Sequence, residues 1–256
     1  MQRFTDKVAL ITGAASGIGQ ATALAAAQEG AAIILLDIQT EALETTTRKI
    51  AEAGGRCLPL LTDVTNHEAV RQAVQQGAAH FGGIDFLCCS AGLQTYGTVE
   101  STTEADWDRA MDVNLKHMFL VGKYVIPEMK KRGGGSVVNI SSVQGINCQS
   151  NVLAYATSKG AAIALSRAMA MDHASDKIRV NCLCPGSIDT PLLRYGAGQH
   201  GEVEAVLRDW GSQHPIGRIG QAEEVAQTVL FLWSQAAGFI TAQPIVVDGG
   251  LISGIL

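Results

Sequence analysis

The sequence contains 256 residues, of which 47% are hydrophobic and 17% are charged, and its formal net charge is -5. This composition excludes an intrinsically disordered chain. Lysine and arginine form no run, so nothing indicates a surface for nucleic acid or for an anionic membrane. A chain of this length can bury a substantial core without disulfides or metals.

The first residues show no signal-peptide pattern, and the longest apolar stretches are too short to cross a bilayer. We therefore expect a cytoplasmic protein with no membrane partner. The six cysteines form no CxxC pair, and the six histidines show no paired-ligand spacing. The sequence thus predicts buried, reduced cysteines and no metal site.

Short apolar runs alternate along the chain with longer amphipathic segments, a pattern typical of α/β proteins. Strands are predicted at residues 8–12, 32–37, 57–61, 86–90, 136–140, 178–184 and 244–247. Helices are predicted near residues 17–29, 40–53, 66–81, 104–131, 151–173 and 222–233. We predict a single domain over residues 1–256. Its fold class is α/β, a Rossmann-type doubly wound sheet of seven mainly parallel strands with helices on both faces.

A glycine-rich turn follows the first predicted strand, where residues 12–19 read TGAASGIG before an Ala-rich helix. Glycines here let the backbone approach a pyrophosphate closely, and the helix N-terminus supplies free N–H donors. Glycine also marks many ordinary turns, but the position between the first strand and the first helix favours a dinucleotide site. The residues expected to form it are Gly13, Ser16, Gly17, Ile18 and Gly19.

The second predicted strand ends in an acidic residue, Asp37. A carboxylate here can accept hydrogen bonds from both hydroxyls of the adenosine ribose, and it would repel the extra phosphate of NADP. No Arg or Lys lies nearby to offset that repulsion. The alternative is a turn or helix-capping aspartate, which is common at strand ends. With the glycine turn before it, Asp37 predicts NAD as the cofactor.

Tyr155 and Lys159 lie four residues apart on a predicted helix, so they share one face. Oxidation of an alcohol needs a base for the hydroxyl proton, and a free tyrosine is a poor base near neutral pH. A neighbouring ammonium favours the phenolate and lowers the tyrosine pKa. The alternative is an unimportant surface pair.

Two polar residues accompany this pair. Ser142 follows the strand predicted at residues 136–140, and a hydroxyl there can donate to a substrate oxygen as negative charge develops. Asn114 lies inside a predicted helix although Asn is a mediocre helix former, and its side chain can hold a water against the backbone. The alternatives are a capping serine and a solvated asparagine.

These motifs, in this order, resemble the cofactor turn and the Asn–Ser–Tyr–Lys tetrad of the short-chain dehydrogenase/reductase family, and the resemblance spans essentially the whole chain. It implies that Ser142 orients and polarises the substrate oxygen and that Tyr155 transfers the proton. It also implies that Lys159 lowers the tyrosine pKa and holds the nicotinamide ribose. Asn114 would keep a water that relays protons outward.

The same resemblance implies further cofactor contacts and an assembly. Asp63 and Val64 are expected at the adenine ring, and the family places the nicotinamide at the CLCPG segment of residues 182–186, with Thr190 near the carboxamide. Beyond the glycine turn, the expected cofactor residues are Asp37, Asp63, Val64, Ala91, Gly92, Tyr155, Lys159, Pro185, Gly186, Ile188 and Thr190. The family is commonly tetrameric, so the resemblance implies a homotetramer.

One segment departs from the family pattern. The family usually carries Asn-Asn-Ala-Gly after its fourth strand, whereas residues 89–92 here read CSAG. Those asparagines mainly form hydrogen bonds within the central sheet, which Ser90 can replace in part and Cys89 hardly at all. We expect this change to weaken the sheet locally more than it affects catalysis.

The segment that lines the substrate site in this family, residues 143–154, is rich in amide side chains. Amides both donate and accept hydrogen bonds, which suits a polyhydroxylated ligand. The alternative is a solvent-exposed loop whose amides face water. The expected substrate contacts are Gln94, Gln144, Asn147, Gln149 and Leu192.

Residues 186–220 contain many glycines and are predicted to be a loose, mobile segment. A lid over the substrate site and an ordinary surface insertion are equally compatible with this composition.

The favoured function is NAD-dependent oxidation of a small polar alcohol, such as a sugar or polyol, or reduction of the corresponding carbonyl. A second candidate is a 3-oxoacyl-(acyl-carrier-protein) reductase, although such enzymes usually prefer NADPH and Asp37 counts against that cofactor. A third is a Rossmann-type binding protein without turnover, which would have lost a tetrad member; none is lost here.

Overall fold

The computed structural model describes residues 2–254, and the predicted strands all form. The strands are β1 (Val8–Thr12), β2 (Ala32–Asp37), β3 (Arg56–Leu61), β4 (Phe86–Cys89), β5 (Gly135–Ile140), β6 (Ile178–Pro185), β7 (Ile188–Asp189), β8 (Gly220–Gln221) and β9 (Pro244–Val247). The α-helices are α1 (Gly17–Gln28), α2 (Thr40–Glu52), α3 (His67–Phe81), α4 (Glu104–Met111), α5 (His117–Lys131), α6 (Leu153–His173), α7 (Pro191–Gly198), α8 (Val203–Ser212) and α9 (Ala222–Trp233).

Seven strands form one sheet in the order β3-β2-β1-β4-β5-β6-β9, and every neighbouring pair is parallel. The predicted α/β fold with a seven-stranded, doubly wound sheet is therefore confirmed. The inner strands are buried and mainly apolar because helices cover both faces of such a sheet. β7 and β8 form a separate two-stranded pair.

Two apolar layers enclose the sheet. Alternate residues of a strand point to opposite faces, so Ile11 of β1 packs with α1 and α9, whereas Leu10 packs with α3 and α5. All the strand residues of β1 and β2 are buried. The two layers hold the strand ends rigidly, and the loops that follow the strands converge at one edge of the sheet.

The helix predicted over residues 104–131 is interrupted by a π-helical turn at Asp112–Lys116. The turn contains Asn114, whose amide oxygen accepts a hydrogen bond from the Leu93 N–H at 2.8 Å. Its amide nitrogen donates to the Leu93 carbonyl at 3.0 Å. These bonds fasten the helix to the loop after β4, and π turns of this kind are frequent at functional sites.

The segment predicted to be mobile, residues 186–220, contains two helices that local capping begins, and its mobility stays a prediction. The Thr190 hydroxyl accepts from the Leu193 N–H at 3.2 Å, and Pro191 occupies the first position of α7. The carboxylate of Glu202 accepts from the first turn of α8. Pairing of β7 with β8 ties the two ends of the segment together.

The departure at residues 89–92 also has a structural consequence. β4 ends at Cys89, one residue before the predicted end, and Cys89 is fully buried. The backbone N–H groups of Ser90 and Ala91 donate to the Thr12 hydroxyl at 3.1 and 3.2 Å. Thr12 therefore joins β1 to the loop after β4.

Across residues 2–254, no helix is both long enough and apolar enough to cross a membrane. In the same part of the chain, no group of three or more His, Cys, Asp or Glu side chains is placed to hold a metal ion.

Candidate active site

A cleft of about 490 Å³ lies at the carboxyl ends of the parallel strands. Its walls come from the segments that follow β1, β2, β3, β4, β5 and β6, and from α7 and α8. Ligands of open α/β sheets bind at this edge, because the strand-to-helix turns supply backbone donors and polar side chains there. Nearly all the residues that the sequence predicts for cofactor and substrate lie in this one cleft.

The glycine turn forms one end of the cleft. Gly13 has a positive φ of 65°, and a β-carbon on it would lie 2.8 Å from the Ala91 backbone. Gly19 does not line the cleft, which corrects its predicted contact, because it packs beneath the turn: a β-carbon there would lie 2.1 Å from the Gly13 carbonyl oxygen. Gly13, Ser16, Gly17 and Ile18 do line it.

Helix α1 begins at this turn with its N-terminus open. The Ser16 side chain makes no capping hydrogen bond, and the first turn carries no acidic residue. The free N–H groups and the partial positive charge of the helix therefore remain available to an anion.

Asp37 is buried at the end of β2 and held from two sides. One carboxylate oxygen accepts from the Ala15 N–H at 2.9 Å, and the other accepts from the Gln39 N–H at 3.0 Å. The bond to Gln39 is the turn contact of the alternative interpretation. The bond to Ala15 is a tertiary contact that fixes the carboxylate against the glycine turn. Its remaining lone pairs suit two ribose hydroxyls, and the adjacent Ile38 carries no charge.

The other residues predicted to contact the cofactor also line the cleft. Asp63, Val64, Ala91, Gly92, Pro185, Gly186, Ile188 and Thr190 all line the cleft, as the sequence predicts. Asp63 uses one carboxylate oxygen for the Thr65 N–H and hydroxyl, at 2.9 and 2.7 Å. The methyl group of Thr190 faces Gly17 across the cleft, 3.1 Å from where a β-carbon would be. The segment after β6 therefore closes over the glycine turn.

Tyr155 and Lys159 are both buried on α6, which excludes the alternative of an exposed surface pair. The Lys159 Nζ donates to the Ile140 carbonyl at 3.0 Å and lies 5.5 Å from the centre of the Tyr155 ring. Burial lowers the pKa of Lys159 to about 8. Burial also raises the pKa of Tyr155, and the nearby Ser142 hydroxyl opposes that shift. In the ligand-free protein the tyrosine pKa is thus raised, not lowered as expected from the lysine alone.

Ser142 lies in extended backbone just after β5. Its oxygen accepts from the Gln144 N–H at 3.1 Å, so the capping interpretation holds. The hydroxyl hydrogen is still free to donate into the cleft that Ser142 shares with Tyr155. The neighbouring Ser141 hydroxyl donates to the Lys159 carbonyl at 2.7 Å and fixes α6 to the end of β5.

Asn114 is fully buried behind the cleft, which excludes the solvated alternative. Besides its two bonds to Leu93, its amide nitrogen donates to the Ser158 hydroxyl at 3.1 Å. Both amide hydrogens are therefore used within the protein. Asn114 therefore connects the loop after β4 to α6 at Ser158, which lies three residues after Tyr155.

Four of the five predicted substrate residues line the cleft: Gln94, Gln144, Gln149 and Leu192. Asn147 is exposed to solvent and does not line the cleft, and its predicted contact stays a prediction. The turn is held by the Asn147 N–H, which donates to the Val143 carbonyl at 2.9 Å. The Gln144 side-chain oxygen also accepts from the Gln149 N–H at 2.8 Å.

Several lining residues were not predicted as contacts from the sequence. They are Tyr96, Arg109, Gly196, Trp210, Gln213 and Leu251 among others. Tyr96 could have been found, because it follows Gln94 by two residues in an extended segment and so shares its side. The others come from α4, from α7 and α8, and from the segment after β9. No local pattern marks them.

A glycine-rich turn at a helix N-terminus, a buried carboxylate at the end of β2 and a buried tyrosine–lysine pair share one cleft, an arrangement that suits a nucleotide-dependent oxidoreductase. Comparison with known proteins agrees. Residues 13–252 match the family model described as enoyl-(acyl carrier protein) reductase. The chain belongs to the short-chain dehydrogenase/reductase family, whose members use a nicotinamide cofactor. It is an oxidoreductase that acts on alcohol or carbonyl groups.

Three relatives illustrate the range of that family. The chain is 39% identical over 250 residues to 3-oxoacyl-(acyl-carrier-protein) reductase FabG of Thermotoga maritima, covering 98% of this chain and 99% of the relative. It is 38% identical over 254 residues to cyclohexanol dehydrogenase of an Acinetobacter species, covering 98% and 97%. The structure of aldohexose dehydrogenase from Thermoplasma acidophilum superposes with a TM-score of 0.90 at 37% identity, covering 99% and 97%.

Proposed function

We propose that this protein is an NAD-dependent dehydrogenase of a small polyhydroxy alcohol, oxidising an aldose to its lactone or a polyol to a ketose. The observation that carries the proposal is the polar wall of the cleft. Gln94, Gln144, Gln149 and Gln213 all line the cavity that contains Tyr155. A buried amide left without a partner is destabilising by about 1–3 kcal/mol, so an apolar substrate covering several of them would bind poorly.

NAD is the proposed cofactor because the Asp37 carboxylate is held in place beside the glycine turn. The carboxylate is buried and receives hydrogen bonds from Ala15 and Gln39. It cannot swing away to admit the ribose phosphate of NADP, and its negative charge would repel that group. Among the cleft-lining residues, the only cationic side chains are Arg109 and Lys159, and neither lies beside Asp37 in the sequence or bonds to it.

The chemistry follows from three side chains. Ser142 donates a hydrogen bond to the substrate oxygen and orients it toward Tyr155. Tyr155 accepts the hydroxyl proton during oxidation and returns it during reduction. The Lys159 ammonium, held by Ile140, favours the phenolate and is placed to hold the nicotinamide ribose. When bound, the nicotinamide supplies the acceptor for the substrate hydride.

A second candidate is reduction of a 3-oxoacyl thioester. The relative from Thermotoga maritima favours it, because the two chains match over nearly their full lengths. The fixed Asp37 counts against the NADPH that such enzymes usually prefer. A binding protein without turnover is the weakest candidate, because Asn114, Ser142, Tyr155 and Lys159 are all present.

An activity panel separates these candidates. It would contain aldohexoses, polyols, cyclohexanol, short hydroxy acids, steroids and a 3-oxoacyl thioester, each with both forms of the cofactor. The proposal expects sugars or polyols to be oxidised with NAD at a kcat/KM well above that with NADP. Efficient turnover of the thioester or a steroid, with no turnover of any sugar or polyol, would refute it.

We also propose a cytoplasmic homotetramer, as the family resemblance implies. The six cysteines are free, and four of them are buried, which suits a reducing compartment. Strand β9 is a free edge of the sheet and carries the exposed Val246, and Phe231 and Phe239 are exposed on and after α9. Exposed apolar residues suit subunit contacts. Light scattering after size-exclusion chromatography should give four times the 26.9 kDa chain mass, and a monomeric mass would contradict the assembly.

A further inference from the structure

Tyr96 occupies the part of the cleft next to the predicted acid/base. It packs against the buried cluster of Val152, Tyr155 and Ala156. It also lines the cavity together with Gln94, from the same loop after β4. The Tyr96 ring therefore forms a wall that a substrate reaching Tyr155 must contact.

The Tyr96 hydroxyl lies against Gly196 of α7. A β-carbon on Gly196 would lie 2.7 Å from the Tyr96 oxygen, and the next neighbour, a ring carbon of Trp210, would be 3.9 Å away. Gly196 is buried and does not have a positive φ, so the backbone does not require glycine there. Glycine suits position 196 because the Tyr96 hydroxyl occupies the space that a β-carbon would fill.

Two aromatic rings hold this corner of the cleft together. The His200 ring lies edge-on to Tyr96, with 5.6 Å between centres, and edge-on to Trp210, with 5.9 Å between centres. Since His200 and Trp210 belong to the segment between β6 and β8, these contacts fix that segment against the phenol.

The Tyr96 hydroxyl is a free hydrogen-bonding group. Within residues 2–254 its oxygen has no hydrogen-bond partner, and the side chain is only half-buried. Burial raises the pKa of Tyr96, so the hydroxyl stays protonated and can donate. A ligand in the cleft can therefore supply its partner.

We propose that Tyr96 is a specificity-determining residue, whose hydroxyl, given room by Gly196, binds a substrate hydroxyl remote from the carbon that is oxidised. This inference rests on the proposed function and deepens it. Tyr96 would distinguish a polyhydroxy ring from a plain cyclic alcohol of similar size, because only the former supplies the second hydroxyl.

The first test compares Tyr96→Phe with the wild-type protein on an aldohexose, its monodeoxy analogues and cyclohexanol. We expect the KM for the aldohexose to rise about fivefold, the usual effect of one lost hydrogen bond. The KM for cyclohexanol and for one deoxy analogue should change less than about twofold, since these lack the recognised hydroxyl. Tyr124→Phe, at a tyrosine whose hydroxyl contacts His67 and does not line the cleft, is the matched control and should change neither.

The second test uses the steric contact. Gly196→Ala should lower kcat/KM for every alcohol, because the new methyl group displaces the phenol. Adding Tyr96→Phe should restore oxidation of cyclohexanol but not full affinity for the aldohexose. Gly198→Ala is the matched control, because a β-carbon there meets nothing closer than 3.9 Å.

The outcomes are distinguishable. If the wild-type protein oxidises no polyhydroxy alcohol, the proposed function fails and this inference fails with it. If it oxidises the aldohexose but Tyr96→Phe leaves that KM unchanged, only this inference is overturned. A Gly196→Ala defect that Tyr96→Phe does not relieve would likewise overturn the assigned contact.

Discussion

The ammonium nitrogen of Lys159 lies 5.5 Å from the centre of the Tyr155 ring while it donates a hydrogen bond to the Ile140 carbonyl. The positive charge is therefore anchored to the end of β5, and it does not follow the motion of the phenol. We propose that Lys159 has two functions, one toward the phenolate and one toward the bound cofactor, and substitution can test both.

Lys159→Ala should impair both chemistry and cofactor affinity, because one ammonium serves both. We expect kcat to fall by at least about a hundredfold, the lower end of the contribution of a tuned acid/base, and the Kd for NAD to rise. Steady-state kinetics and a fluorescence titration with NADH measure the two effects separately. A variant with normal NADH affinity would show that Lys159 does not contact the cofactor.

The pH dependence follows from the pKa of Tyr155, which burial raises. Its phenolate fraction then increases throughout the range from neutral to mildly alkaline pH. Alcohol oxidation should accelerate over that range, while carbonyl reduction should favour its lower end. Because the pKa of Lys159 is lowered to about 8, the KM for NAD should rise above about that pH. A flat profile, with chemistry shown to limit the rate, would argue against a tyrosine base.

Asp37 should determine the choice of cofactor. Asp37→Asn retains an acceptor for the Ala15 N–H but removes the negative charge. The ratio of kcat/KM with NAD to kcat/KM with NADP should therefore fall, while the glycine turn keeps its contact. Asp37→Ala combined with Ile38→Arg should move kcat/KM toward NADP, since it replaces repulsion with attraction. Comparable kcat/KM values of the wild-type protein with the two cofactors would contradict the assignment.

His117 should make the fold sensitive to acid. It is fully buried beside Thr12, and burial lowers its pKa to about 3. The unfolded chain binds a proton below about pH 6.5 whereas the folded protein does not, so stability is lost as the pH falls from there. The loss amounts to about 1.4 kcal/mol per pH unit.

Denaturant unfolding at a series of pH values measures this effect. His117→Gln should reduce the difference in unfolding free energy between pH 6.5 and pH 5 by about 2 kcal/mol. His80→Gln, at an exposed histidine on α3, is the control and should leave the difference unchanged. If His117→Gln and the wild-type protein lost the same unfolding free energy on acidification, His117 would not be the cause of the acid sensitivity.

The sheet could be predicted from the sequence because its strands are buried on both faces and therefore read as short apolar runs between turns. The residues after those strands, such as Asp37 and Ser142, could be placed in one cleft by the same logic. The proximity of Tyr155 and Lys159 could be predicted from helical spacing, because residues four apart share a face.

Other features depend on contacts that the local sequence does not show. The π turn at Asn114 forms around bonds to Leu93, 21 residues away. The direction of the Asn147 side chain could not be predicted, because an irregular loop has no periodicity from which to infer it. The glycines of residues 186–220 suggested a loose chain, whereas the cap at Thr190 and the following proline determine the local structure.

The most direct test of the central claim is the rate at which the wild-type protein and Tyr155→Phe form NADH while oxidising an aldohexose or a polyol. The substitution keeps the ring and removes only the oxygen that transfers the proton. We expect the wild-type protein to form NADH and Tyr155→Phe to lose at least about 99% of the rate, as loss of a positioned acid/base predicts, while its affinity for NAD stays unchanged. A Tyr155→Phe variant that kept more than a small fraction of the wild-type rate would contradict the account.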